Sequence, residues 1–303
     1  MDCMRKMKVA ILGSGNIGTD LLVKVLRSPC LECALFIGRN LSSPGMSKAS
    51  SLGVPISAKS IDAILDDPDC CELAFDATSA LDHKRHWPLL EKLGKRVIDL
   101  TPARLGKMCV PAANLEQCLD SPNINMISCG GQTSIPLAYV IGRTQDEVDY
   151  IEVVSGIASR SAGPATRINL DEYIETTEQG LRDFSGCPRT KVILNLNAAQ
   201  PCIDMQTTIS AQVRRPDLER LRPAVDEMVE KIRRYVPGYR LLVPPTLEDN
   251  RIVMMVKVQG LGDYLPRYAG NLDIINCAAL ATAEAFARHR LSPPAVLKGA
   301  HHA

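Results

Sequence analysis

No excess of charge of either sign marks this chain. Its 35 Lys and Arg residues meet 34 Asp and Glu residues, leaving a net charge of +1. That field is too weak to gather a nucleic acid or an anionic membrane surface. Uninterrupted apolar stretches of membrane-spanning length are missing as well. The opening Met1-Asp2-Cys3-Met4-Arg5-Lys6-Met7-Lys8 runs straight into an apolar segment broken by Gly13. It has neither the apolar core nor the small-residue cleavage site of a signal peptide. The expectation is a cytoplasmic protein with no nucleic-acid and no membrane partner. Internal repeats and low-complexity segments are absent too. The eleven cysteines keep no disulfide rhythm, which points to reduced thiols. Cys30-Leu31-Glu32-Cys33 has metal-ligand spacing but no second pair, so no metal site is expected. His83 and His86 read as solvated or capping residues of a polar helix start, and His301 and His302 fall in the tail.

What is present is enough chain for about two domains, at 303 residues. Residues 8–12 form a buried-strand run, followed by a helical pattern over 19–27 through Leu21, Leu22, Val25 and Leu26. Further strands are expected at 33–38, 73–76 and 97–100, with helices near 61–65 and 86–93. That alternation predicts an α/β fold whose N-terminal part is a doubly wound Rossmann sheet. Beyond Cys129 the strands at 153–158, 192–197, 202–213 and 252–258 are longer and more β-branched. An amphipathic helix over 216–235 and an Ala-rich helix over 271–288 accompany them. The expected division is a dinucleotide-binding Rossmann domain over 1–130 and an α+β catalytic and dimerisation domain over 131–270. Residues 271–303 then form a C-terminal helix returning to the Rossmann domain.

Two motifs carry chemistry. Gly13-Ser14-Gly15-Asn16-Ile17-Gly18 lies between the first strand and the first helix, the context of a dinucleotide fingerprint. Its glycines allow the tight turn and bring a pyrophosphate close to the helix start. An acidic residue about 20 positions on would take the ribose hydroxyls of NAD. Here the second strand ends Gly38-Arg39-Asn40-Leu41-Ser42-Ser43. Arg39 suits a 2′-phosphate, with Ser42 or Ser43 adding hydroxyls, which favours NADP over NAD; the bland alternative is an exposed loop arginine.

The second motif is Ile127-Ser128-Cys129-Gly130-Gly131-Gln132. A strand feeding a helix would set the thiol at a helix N-terminus, where N–H groups and the dipole favour its thiolate. The glycines would admit a substrate carbonyl to the backbone, with Gln132 or Asn169 helping the N–H groups hold an oxyanion. The alternative is a buried cysteine in a glycine-rich turn. A nicotinamide cofactor beside a nucleophilic cysteine implies oxidation of an aldehyde to an enzyme thioester that an acceptor takes, or the reverse.

The chain resembles the acylating acetaldehyde dehydrogenases, partners of 4-hydroxy-2-oxovalerate aldolases in the meta-cleavage pathways of aromatic catabolism. The likeness spans residues 9–285. It includes Phe75-Asp76-Ala77-Thr78-Ser79-Ala80, Ile98-Asp99-Leu100-Thr101-Pro102-Ala103 and Asn125-Met126-Ile127-Ser128-Cys129-Gly130-Gly131-Gln132. It continues through Tyr235-Val236-Pro237-Gly238-Tyr239-Arg240 and Tyr264-Leu265-Pro266-Arg267-Tyr268-Ala269-Gly270-Asn271-Leu272-Asp273. The resemblance implies that Cys129 carries the acyl group and that CoA is a co-substrate. It implies that Ser14, Gly15, Asn16 and Ile17 line the cofactor, together with Asn271. The run Ser161, Ala162, Gly163, Pro164, Ala165, Thr166, Arg167, Ile168 and Asn169 is implied there too. A homodimer and an aldolase partner belong to the same expectation.

Two departures stand out. The family carries an acidic residue where Arg39 stands. Its general-base Asp falls where this chain has Thr207, and threonine is no base at neutral pH. Asp204, three residues earlier on the expected strand, would face the opposite way. These departures keep two alternatives open: a dehydrogenase for another acyl thioester or a semialdehyde, and a non-catalytic, cofactor-binding partner of an aldolase.

Overall fold

The computed structural model describes residues 5–291, the side chains of Pro164, Ala165 and Leu291 excepted. His301, His302 and the rest of the expected C-terminal segment beyond 291 lie outside the described residues. In chain order the elements are β1 (Met7–Leu12), α1 (Asn16–Leu26), β2 (Leu31–Ile37), α2 (Pro44–Ser51), β3 (Ile56–Ser57), α3 (Asp62–Asp66), β4 (Leu73–Asp76) and α4 (Ala80–Lys92). Next come β5 (Arg96–Asp99), β6 (Lys107–Met108), α5 (Pro111–Cys118), β7 (Asn123–Asn125), α6 (Cys129–Thr144), β8 (Val148–Ala158), α7 (Pro164–Ile168) and α8 (Leu170–Ser185). The chain continues with β9 (Thr190–Asn197), β10 (Met205–Val213), α9 (Leu218–Arg233), β11 (Tyr239–Glu248), β12 (Arg251–Val258) and α10 (Gly270–Leu291).

The first seven strands form one sheet in the order β3-β2-β1-β4-β5-β7-β6, and every pairing is parallel. Helices cover both faces, which is why the strands read as continuous apolar runs rather than as alternating ones. The strand order reverses between β1 and β4, so the crevice beyond their C-terminal ends is the switch point where such sheets take ligands. The last five strands form a second sheet, β11-β12-β10-β8-β9, antiparallel except for β8 with β9. The expected α/β sheet followed by an α+β unit is what the chain forms.

One face of the second sheet packs beneath α6, α8 and α9. Along α9, Leu221, Val225, Met228, Val229 and Ile232 are buried at helical spacing, and Asp217 caps the helix start by accepting from the Arg220 N–H. The helix α10 returns to the first sheet. Its Ile275, Ala278, Ala279, Ala283 and Phe286 join Val9, Ile11, Leu21 and Leu22 in a single core.

A buried ionic cluster pins that return. Lys24 on α1 places its Nζ 2.9 Å from Asp20, 2.8 Å from Asp263 and 2.7 Å from Asp273. Burial works against its charge, but Asp20 and Asp273 win and hold the ammonium pKa above its usual range. The three carboxylates are close enough to ligate a cation, yet the lysine already occupies their centre. Among the described residues, no helix is long and apolar enough to cross a membrane.

Several expectations shift. The helix expected over 86–93 begins at Ala80, capped by Ser79, and continues past Pro88. That places His83 and His86 inside it, buried rather than solvated, because both face the carboxylate of Asp76. The strand expected over 202–213 begins at Met205, so Asp204 lies before it and pairs with Lys257 at 3.4 Å. Ser43 serves as the N-cap of α2, accepting from the Met46 N–H.

Candidate active site

The turn after β1 uses its three glycines differently. Gly13 has φ +111°, and a Cβ there would sit 2.5 Å from the carbonyl oxygen of Ala77. A side chain at Gly18 would run into the carbonyl of Gly13, so that glycine lets α1 pack on the strand. Gly15 is neither strained nor crowded: no atom lies within 4 Å of where its Cβ would be. The space in front of it is open to a ligand.

That space is a cleft of about 390 Å³, large enough for a cofactor, with Gly13, Ser14, Gly15, Asn16 and Ile17 in its wall. Arg39 lines it and is exposed, beside Ser60. Ser43 turns its hydroxyl to Ser14 at 3.2 Å instead of to the cleft, and Ser42 is not among the lining residues. Below the cleft, Asp76 at the end of β4 accepts from His83 at 3.0 Å and His86 at 2.8 Å. Burial would raise this carboxyl, but the two imidazoles hold it well below the usual carboxylate range. On β5, burial pushes Asp99 up to about 7, although His83 pulls the other way. His83 is raised in turn: its burial opposes charge, and the Asp76 bond and the nearby Asp99 outweigh it. His86 also lines the cleft.

Cys129 is the first residue of α6, as its sequence context suggests. The preceding Ser128 accepts from the Gly131 N–H at 2.8 Å and bonds Thr177 of α8 at 2.6 Å. Ile127 stands at φ +67°, a conformation that costs a β-branched residue about 1–3 kcal/mol. This strained turn carries the chain from β7 into the helix with the thiol at its head.

The glycines after Cys129 do not open the backbone to a substrate. A Cβ on Gly130 would strike the phenol oxygen of Tyr173, and one on Gly131 would meet Ile127. The thiol is also not a ready thiolate. Burial pushes it up to about 11, against a hydrogen bond to Tyr173 and the backbone N–H groups of Cys129 and Gly130. The helix start pulls in the expected direction, and desolvation is the stronger effect.

Gln132 must be withdrawn as an oxyanion donor. Its amide N–H groups are committed to the carbonyls of Cys109 at 2.7 Å and Met126 at 2.9 Å. What remains is an acceptor, which repels an oxyanion. Its work is to clamp β7 and the start of α6.

A smaller pocket of about 60 Å³ opens beside Cys129, with Asn169, Tyr173 and Ile275 in its wall. Ile17, Ala77, Thr78, Thr166 and Leu272 line both this pocket and the larger cleft, so the two adjoin. Asn271, next to Leu272, is 1% exposed, and neither its Oδ1 nor its Nδ2 meets a partner within the described chain. Asn271 is in the wall of neither pocket, and its unpartnered amide lies behind Leu272, which is in both.

The segment from Ser161 to Asn169 divides. Gly163, Thr166 and Ile168 line the cleft, and Thr166 and Asn169 line the thiol pocket. Ile168 is 78% exposed, an apolar side chain held at the mouth. Ser161 bonds the carbonyl of Ala158, Ala162 packs into the core, and Arg167 turns back onto Ala162 and Ser159. These three shape the loop rather than line the space. The side chains of Pro164 and Ala165 lie outside the described residues.

Residues 129–266 match the family model described as prokaryotic acetaldehyde dehydrogenase, dimerisation. An acetaldehyde dehydrogenase of Pectobacterium atrosepticum is 60% identical over 282 residues, covering 92% of this chain and 95% of its own. One from Spirochaeta aurantia is 56% identical over 284 residues, covering 94% and 96%. The chain belongs to the acetaldehyde dehydrogenase family. Membership makes it an oxidoreductase. Among solved structures, an aspartate semialdehyde dehydrogenase with NADP from Candida albicans shares the fold, with a TM-score of 0.63 and 12% identity. That likeness covers 92% of this chain and all of the other.

For a member of the acetaldehyde dehydrogenase family, the sequence pattern leaves out several residues that the fold brings to the site. Ala77 and Thr78 follow β4, and their position at the switch point is the signal that could have found them. Tyr173, Leu272 and Ile275 carry no comparable signal. Thr207 faces inward from β10 and bonds Ser155 at 2.9 Å, and among the described residues no carboxylate takes its place there.

Proposed function

We propose that the protein is an NAD(P)-dependent acylating aldehyde dehydrogenase. It interconverts a short aldehyde such as acetaldehyde and its acyl-CoA through a thioester on Cys129. The observation that supports this most is that the glycine-walled cleft and the thiol pocket share five residues of their walls. The cofactor fits on three counts: the open space at Gly15, the unsatisfied amide of Asn271 and the volume of the cleft. Ser14 to Ile17 would hold its phosphates at the start of α1, Asn271 its carboxamide, and Arg39 a 2′-phosphate if present. When bound it supplies the hydride acceptor in one direction and the donor in the other.

The chain's own residues do the rest. The Cys129 sulfur forms a C–S bond to the substrate carbonyl carbon, and the carbonyl oxygen takes the charge. N–H groups at the head of α6, with Asn169 in the pocket wall, hold that oxygen. In the transfer step the CoA sulfur bonds the acyl carbon as the bond to Cys129 breaks. The narrow pocket favours a short acyl group, whose presence then keeps bulk water from the thioester.

The same reading divides the chain near residues 130 and 270 and makes it a homodimer. Val154, Ile193, Val253 and Met255 share the face of the second sheet opposite the helices, half-buried or exposed and covered by none of them. The matched dimerisation model supports a second copy as its cover, and sedimentation should give twice 33.0 kDa. An aldolase partner rests on the resemblance alone and is tested by co-purification with a 4-hydroxy-2-oxovalerate aldolase.

Reduced cofactor should form from acetaldehyde only when CoA is present and Cys129 intact. Equal rates without CoA, or with phosphate in its place, would move the enzyme to semialdehyde-type chemistry.

A further inference from the structure

We propose that Tyr173 is a catalytic residue acting on Cys129, and that Ser155 and Thr207 position it through a buried chain of hydroxyls. The chain reverses its hydrogen-bond direction as the sulfur gains or loses its proton. The proposal rests on the thioester reading and names what lets a buried thiol work without a charged base.

The geometry is built from four elements, α6, α8, β8 and β10. Cys129 Sγ lies 3.9 Å from the Tyr173 hydroxyl, within hydrogen-bond range for sulfur. The phenol oxygen and Ser155 Oγ border the same space beside Gly130, and Ser155 Oγ lies 2.9 Å from Thr207 Oγ1. Ser155 and Thr207 are direct partners across β8 and β10, both fully buried and facing the helix layer. Tyr173 is fixed from the helix side. Thr177, one turn on, donates to the Tyr173 carbonyl and bonds the cap residue Ser128, so phenol and thiol are registered to one another. Gly130 leaves the space that the phenol fills.

Among the described residues, nothing charged steadies the sulfur. The groups that steady the sulfur are this phenol and the N–H groups at the head of α6. Burial lifts the phenol above its usual range, as does the neighbouring sulfur, while the bond from Ser155 works the other way.

A hydroxyl gives one hydrogen and accepts others, so a row of them points either way. With the thiol protonated, S–H donates to Tyr173, Tyr173 to Ser155 and Ser155 to Thr207. With the thiolate, Thr207 donates to Ser155, Ser155 to Tyr173 and Tyr173 to the sulfur. The proton that leaves the sulfur goes to water entering the pocket. None travels along the row; three hydrogen bonds turn round. The charged form thus gains a donor when it needs one, and no unpaired ion remains buried when it does not.

The test is the pH profile of Cys129 alkylation by iodoacetamide, read by peptide mass spectrometry on the full-length protein. Tyr173→Phe should move the midpoint up by about one pH unit, about a tenfold loss of rate near neutral pH. Thr207→Val keeps the shape but removes the hydroxyl and should lose about threefold, and Thr207→Ser should restore the wild-type profile. kcat should fall in the same order with KM for the cofactor unchanged. A wild-type midpoint in Tyr173→Phe, or Thr207→Ser behaving like Thr207→Val, overturns the proposal. Should Tyr173→Phe not fold, the Thr207 pair decides alone: equal profiles for Thr207→Val and wild type overturn it. Turnover that needs no CoA, with these shifts intact, would instead count against CoA as the acceptor in the proposed function.

Discussion

Around the cleft at the β1–β4 switch point, this protein buries formal charge. Asp76 is held between His83 and His86, and Lys24 sits among Asp20, Asp263 and Asp273. Around Cys129, in the adjoining pocket, the buried polar groups are uncharged: the hydroxyls of Tyr173, Ser155, Thr207, Ser128 and Thr177, and the amides of Gln132 and Asn169. The difference follows from what each region must do. Buried ions resist rearrangement, because moving one partner leaves the other charge without compensation. They suit a frame that stays still while a cofactor comes and goes. A nucleophile has to become charged and neutral again in each turnover, and hydroxyls accommodate both states.

The widest effect expected from this contrast concerns the thiol itself. With its pKa pushed up to about 11, thiolate is present above that pH and lost as the pH falls. Alkylation of Cys129 in the free enzyme should therefore rise about tenfold per pH unit above neutrality and level off near 11. A plateau near pH 7 would show an ion that this picture lacks. Next is Cys129→Ala, which should reduce CoA-dependent turnover by at least about 10³-fold. Cofactor binding, followed by fluorescence titration, should persist.

Lys24→Met sharpens the contrast from the other side. Three carboxylates lose their shared partner, at a cost of about 3–5 kcal/mol in denaturant unfolding. Thr207→Val, also buried, should cost below about 1.5 kcal/mol. Comparable losses would erase the distinction between the two regions. Arg39→Ala should weaken NADP by about 10- to 100-fold while changing NAD little, as calorimetry would show. An unchanged ratio would remove the 2′-phosphate role. The smallest effect should belong to Gly15→Ala: unaltered stability, with a several-fold rise in KM for the cofactor. Gly13→Ala is the contrast within the same turn, since φ +111° and the Ala77 carbonyl should make it destabilising.

How far the residues disclosed this division depends on which side is considered. The cofactor half is local: β1, the glycine turn and α1 are contiguous, and their pattern leads directly to the parallel sheet and its switch point. Cys129 at the head of α6 was legible for the same reason. The surroundings of the thiol were not. Tyr173, Ser155 and Thr207 come from α8, β8 and β10, and only the pairing of two strands and the packing of a helix unite them. Gln132 misled because proximity in sequence to a cysteine says nothing about where both amide hydrogens go. His83 and His86 looked solvated because the carboxylate they share lies on the preceding strand. Pro244 and Pro245 hid β11, which tolerates them as an edge strand. Ser43 looked only like a hydroxyl for a phosphate, and it is the cap of α2.

The return of α10 to the first sheet has a consequence for how the molecule is made. Ile275, Ala278, Ala279, Ala283 and Phe286 complete a core begun by Val9 and Ile11, and Asp273 completes the cluster around Lys24. On the ribosome, β1 and α1 are therefore left with an open apolar face until α10 follows them. The second sheet and its thiol pocket have all their strands synthesised before that happens. The glycine turn, first in sequence, belongs to the last core to close, and the enzyme gains a fully supported cofactor cleft only once its C-terminal helix has docked.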